Sequence, residues 1–97
     1  MNIPVQHYSI DFEILEKLAE EGRNVPSILG DDLDKHRNYV SQRLNELKRY
    51  GMVKKIGERN IGLYEITELG KTALENRDVW ETDHDEYQDL ITEAADS

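Results

Sequence analysis

Apolar residues recur along this chain with a helical period in some stretches and a strand-like texture in others. Ile10, Ile14, Leu15 and Leu18 fall at helical spacing, and Ser9 in front of them suits an N-cap. Asp11 and Glu13 are favourable in a first turn and Gly22 is a natural stop, so a helix is predicted over about residues 10–21. Pro26 suits the first turn of a second, short helix that turns Ile28 and Leu29 inward. Gly30-Asp31-Asp32 reads as a turn, Leu33 as a buried plug and Asp34 as the next cap. Val40, Leu44 and Leu47 then form one narrow apolar stripe, which predicts a helix from about Lys35 to Tyr50, ended by Gly51.

The texture changes after that stop. Met52–Ile56 and Ile61–Ile66 read as two short strands, joined by a Gly57-Glu58-Arg59-Asn60 loop, with Gly62 marking a bulge. Thr67 is placed to cap a further helix over about residues 68–76, anchored by Leu69 and Leu74. Past Asn76 the composition shifts, although Trp80, Tyr87 and Ile91 keep the spacing of one helical face. Helix, short helix, turn, longer helix, β-hairpin, helix is the order of a winged helix-turn-helix. The predicted fold is therefore mainly α with a β-hairpin wing, over residues 8–76. Residues 77–97 follow as an acidic tail or a docking or dimerisation helix.

Charge sharpens this picture. The 97 residues carry a net charge of −9, yet the charges are segregated. Residues 1–34 sum to −6, residues 35–59 to +6 and residues 60–97 to −9. Eight of the twelve Lys and Arg side chains fall in the middle block, which covers the third predicted helix and the hairpin. Such an island implies an anionic partner. Acidic flanks around one positive face also fit a salt-adapted, halophilic surface, the bland alternative being simple solubility. With no cysteine, the chain has no disulfide framework and no thiolate metal site. No apolar run approaches the ~20 residues that span a bilayer, and the first residues lack the pattern of a signal peptide. The expected compartment is the cytoplasm, with no membrane partner.

The stripe Val40, Leu44 and Leu47 fixes the opposite face of its helix. That face holds Asn38, Gln42, Asn45 and Arg49, with Ser41 at its edge. Asn and Gln amides can pair bidentately with adenine edges, whereas a neutral amide gains little from a phosphate. Arg37 can reach a guanine edge or a phosphate. Lys35, Arg43 and Lys48 are expected on phosphates, and His36 at the helix start is a further phosphate candidate. In the hairpin, Lys54, Lys55 and Arg59 are the expected contacts, with Arg59 at the tip reaching a minor groove. The competing reading of each residue is an ordinary solvated face or a protected edge strand. Tyr39 and Tyr50 read as packing residues, and His7 and His84 as isolated. Asp83-His84-Asp85-Glu86 has metal-ligand chemistry but reads as an exposed acidic run. No phosphate loop, nucleophile elbow or HExxH is present, so no enzyme, cofactor or metal is expected, and no small-molecule ligand is evident.

The segment HRNYVSQRLNELKRYGMVKKIGERNIGLYEITELGK carries a resemblance. It resembles the small winged-helix regulators of haloarchaea and their viruses, a repressor-like group related to MarR- and ArsR-type proteins. The shared features are Arg-Asn-Tyr-Val-Ser-x-Arg-Leu-Asn-x-Leu, then Tyr-Gly-Met-Val, then a hairpin ending Tyr-x-Ile-Thr-x-x-Gly, within residues 8–76. The resemblance implies homodimers formed through terminal helices, and repression of transcription on double-stranded DNA. The acidic residues 78–97 depart from that pattern. They are a dimer helix using Trp80, Tyr87 and Ile91 against Phe12 of helix 1, or a disordered anionic arm. The rival function is a winged-helix protein–protein module that presents its basic face to an acidic partner.

Overall fold

The computed structural model describes residues 5–57 and 62–96. Helix α1 runs Ser9–Glu21. Its N-cap is Tyr8 rather than the expected Ser9, because the Asp11 carboxylate folds back to accept the Tyr8 N–H at 3.1 Å. Directly after Gly22, the chain makes a strand that the sequence pattern does not predict. β1 (Arg23–Asn24) pairs antiparallel with the hairpin's return strand, Arg23 opposite Glu65 and Asn24 opposite Tyr64.

α2 spans Pro26–Leu33 and runs through the Gly30-Asp31-Asp32 stretch read above as a turn. Gly30 is there for packing. A Cβ on it would sit 2.7 Å from the Lys35 carbonyl oxygen, so the glycine lets the next segment cross directly over the helix. The real turn falls later, where Asp34 closes α2 in the left-handed region (φ 55°). α3 accordingly starts at Arg37 and ends at Arg49, and its cap is His36, not Asp34. The His36 Nδ1 accepts the Asn38 N–H at 3.1 Å. Val40, Leu44 and Leu47 are fully buried, as the stripe requires. Each such side chain contributes about 1.5–3 kcal/mol of burial, so the stripe fixes which face of α3 looks outward.

β2 (Val53–Ile56) and β3 (Leu63–Ile66) form the hairpin, Val53 facing Ile66 and Lys54 facing Glu65. Its connecting residues 58–61, and with them Arg59, lie outside the described residues. The sheet order is β1-β3-β2. Thr67 caps α4 (Glu68–Glu75) by accepting the Gly70 N–H at 3.1 Å, and its hydroxyl donates to the Gly51 carbonyl at 2.6 Å.

Residues 77–95 are two helices, α5 (Arg77–Thr82) and α6 (His84–Ala95). Trp80 therefore does not share a helix with Tyr87 and Ile91. The break falls at Asp83, whose side chain caps α6 through the Glu86 N–H at 3.1 Å. Tyr87 and Ile91 enter the same core cluster as Leu15, Leu44 and Leu47. Phe12, Tyr87 and Ile91 are 2 %, 0 % and 5 % exposed within the single chain, and Trp80 packs against the cluster that holds Tyr87 and Ile91. All four side chains assigned above to a dimer contact thus pack within the chain's own fold. Among the described residues no helix is long and apolar enough to cross a membrane.

Candidate nucleic-acid interface

The outward face of α3 carries Asn38, Gln42, Asn45 and Arg49, all exposed, with Ser41 half-buried at the edge. They stand opposite the buried Val40, Leu44 and Leu47, so this ladder of amides is held on a rigid element rather than a loop. Lys35, His36 and Arg37 are exposed at its start, and Lys48 is exposed near its end. Arg49 is engaged by a neighbour on its own helix, donating to both Glu46 oxygens at 2.9 and 3.2 Å. Lys35, Arg37 and Lys48 form no ion pair among the described residues, which leaves their charge available to a partner.

The two hairpin lysines differ. Adjacent residues on a strand point to opposite sheet faces. Lys54 lies across from Glu65 and pairs with it at 3.3 Å, while Arg23 pairs with the other Glu65 oxygen at 3.1 Å. Those two cations hold the Glu65 carboxyl below its ordinary range. Lys54 also lines a shallow cleft with Leu18, Gly22 and Lys71. Lys55 is exposed on the other face and forms no ion pair among the described residues.

Arg43 departs furthest from expectation. It is not exposed like the other cations of α3 but buried, 7 % exposed. Its Nε and Nη2 donate to the two Asp11 oxygens, each at 2.8 Å, and its guanidinium lies 4.3 Å from the centre of the Tyr8 ring. Its position explains this. Arg43 follows Val40 by three residues and precedes Leu47 by four, which puts it on the flank of the buried stripe.

Asp11 is the centre of a buried polar chain. Its second oxygen also meets the His7 Nδ1 at 3.0 Å, and the His7 Nε2 meets the Tyr87 hydroxyl at 2.9 Å. An ionised carboxylate only accepts, so Nδ1 carries the proton. In the neutral ring, Nε2 then accepts from the tyrosine O–H. Burial pushes the Asp11 carboxyl up, but the hydrogen bonds from Arg43 and His7 outweigh it and leave the group below its ordinary value. The Asp11 bond holds Arg43 protonated against its own burial. Burial, with the Asp11 charge nearby, raises the Tyr87 phenol well above its usual range. His7, read from sequence as isolated, is 7 % exposed and ringed by Phe12, Tyr50, Trp80 and Tyr87. The one signal in sequence was the i,i+4 spacing of His7 and Asp11. Tyr39, read as packing, is 37 % exposed near the start of α3. Among the described residues no group of His, Asp or Glu is arranged to hold a metal ion.

Comparison with known proteins gives this geometry a setting. No family model matches the chain, and no curated protein matches it. Among solved structures it is similar to the PhiH1 repressor-like protein from Haloarcula marismortui, with 32 % identity and a TM-score of 0.60 over 68 % of this chain and 74 % of that one. It is similar in fold to a mutant MarR from E. coli complexed with operator DNA, at 20 % identity and a TM-score of 0.62 over 90 % of this chain. The oxidized form of E. coli MarR gives 20 % identity and a TM-score of 0.63 over 93 %. The chain spans 64 % and 65 % of those two MarR chains, just under two thirds.

Proposed function

Since the chain belongs to the PhiH1 repressor-like family of winged-helix regulators, we propose that it regulates transcription by binding double-stranded DNA. In this reading α3 lies in the major groove. Asn38, Gln42 and Asn45 read base edges, with Arg49 at the far end of the ladder. Lys35, His36, Arg37 and Lys48 hold the flanking phosphates, and the hairpin, through Lys55, rests on the adjacent backbone. Regulation is by occlusion, with the bound protein covering a promoter as a repressor. A homodimer would address two half-sites about 34–36 Å apart.

The observation that carries the reading is the exposed amide ladder on a helix whose opposite face is fully buried, flanked by cations that no carboxylate of the described residues engages. An amide row suits base edges better than an acidic protein surface, and this favours DNA over the protein-partner alternative. The test is selection of duplexes from a random pool by the wild-type chain, followed by anisotropy titration of the enriched sequence against a shuffled one. Enrichment of one sequence family, bound roughly 10³-fold or more tighter than the shuffled control, is the expected result. Retention of no duplex at any salt the fold tolerates would overturn the reading and favour an acidic protein partner.

A further inference from the structure

Residues 5–8 run as a strap between the last helix and the recognition helix. At one end, Gln88 of α6 grips the strap's backbone in both senses. Its Oε1 accepts the Val5 N–H at 3.0 Å and its Nε2 donates to the Val5 carbonyl at 2.6 Å. At the other end, the Gln6 carbonyl accepts from Arg43 at 3.3 Å, and the Gln6 N–H donates to the Tyr50 hydroxyl at 3.1 Å. Between them His7 joins Tyr87 of α6 to Asp11, and Asp11 joins Arg43 of α3.

We infer that docking of α6 sets the pose of α3 through the buried chain Tyr87–His7–Asp11–Arg43, which makes Tyr87 and His7 positioning residues for DNA binding. The inference rests on the DNA-binding reading above. Its physical basis is a division of labour. The apolar stripe of α3 holds the helix down, but apolar burial is non-directional and leaves small rotations cheap. The bidentate Arg43–Asp11 pair is directional and fixes the rotation. Asp11 is oriented in turn by His7, and His7 by the Tyr87 hydroxyl. Among the described residues no buried side-chain nitrogen or oxygen lacks a partner, so each link is matched to the next. Base reading depends on placement to a fraction of an ångström, whereas phosphate attraction does not. Loosening the chain at α6 should therefore damage sequence discrimination more than general affinity.

Tyr87→Phe removes one hydroxyl from the far end of the chain and keeps the ring that fills the core. Gln88→Ala releases the strap from the half-buried side of α6 without opening the core, and it carries the test if Tyr87→Phe does not fold. Both are titrated, at a temperature where each is fully folded, against the duplex selected by the wild-type chain and against a shuffled duplex. The expected result is an affinity for the selected duplex lower by roughly two- to thirtyfold, the range found along coupled networks. Shuffled-duplex affinity and the salt slope stay at wild-type values, because no phosphate contact is lost. In the DNA-free protein, the Arg43 Nε–H resonance shifts in both variants. A role confined to stability would lower the melting temperature and leave discrimination and that resonance unchanged, and this outcome overturns the inference. A wild-type chain that retains no duplex overturns the DNA reading and the positioning role with it. The Arg43 resonance separates the two failures, since it reports the α6–α3 link without DNA.

Discussion

Arg43 and Arg49 belong to one helix and one basic island, and they sit in different solvents. The Arg43 side chain is 9 % exposed, bound to Asp11 of another helix and covered by Tyr8. The Arg49 side chain is 60 % exposed and bound to Glu46, one turn back on its own helix. The inner arginine fixes how α3 sits on the domain, and the outer one belongs to the face that α3 presents. Charge density marks the region proposed to meet an anion. The angle around the helix decides which of its cations are free to do so.

The largest effect should come from breaking the inner pair. Asp11→Ala leaves Arg43 as a buried charge without its counter-ion, and a loss of about 3–5 kcal/mol of stability is expected in urea unfolding. The same carboxylate gives the protein an acid limit. Its folded pKa lies below the ordinary 3.8, so its contribution is complete above pH 3.8 and is lost as pH falls through the folded value. An unfolding curve as stable for Asp11→Ala as for wild type would erase the distinction between the two arginines. Next in size is the outer face. Asn38→Ala or Gln42→Ala should cost ~1–3 kcal/mol on the selected duplex and relax the preference at one base position. Stability should stay within about 0.5 kcal/mol. Equal losses on every duplex would remove the base-reading role.

The hairpin offers a finer version of the same contrast. Lys55→Ala should flatten the plot of log affinity against log salt by about 0.9, one phosphate contact, and Lys54→Ala by less, because Glu65 already engages Lys54. The reverse order would place the other sheet face on the DNA. Smallest of all, Arg49→Ala should change thermal stability by no more than ~0.2–1 kcal/mol, as exposed pairs do. A loss comparable to that of Asp11→Ala would show that the outer pair is structural after all.

Much of this was legible in the sequence, for reasons that can be named. α1, α3 and α4 announced themselves because their apolar residues recur at a helical period and their ends carry caps and stops. The hairpin did so by its two β-rich runs around Gly57. β1 was not legible, since two residues, Arg23 and Asn24, hold no period and become a strand only by lying beside β3. α2 was cut short because Gly30 serves a close backbone approach, and a glycine looks the same in a turn. Asp83, four residues before Tyr87, carried a readable cap signal with Glu86 three residues on, and it splits a helix that the aromatic spacing had suggested was whole. In the site, the exposed ladder followed directly from the position of the stripe. Arg43 lies off the exposed ladder because its spacing from Val40 and Leu47 puts it on the flank of the buried stripe, which its charge alone does not reveal. The His7–Tyr87 bond joins residues 80 apart, and no local pattern encodes it.

Asp11 has a consequence for how this molecule comes together. The carboxylate that completes the start of α1, by taking the Tyr8 N–H, is the one that receives Arg43 from 32 residues further along. Its burial is tolerable only once that distant side chain arrives, so the first turn of α1 and the seating of α3 mature as one event. Local and long-range order are thereby fused into a single cooperative unit. A fragment carrying α2 and α3 without the N-terminal helix keeps the letters of the motif and loses the counter-ion that seats it. In hydrogen exchange, the protected amides of α1 and α3 should open together, at the free energy of global unfolding.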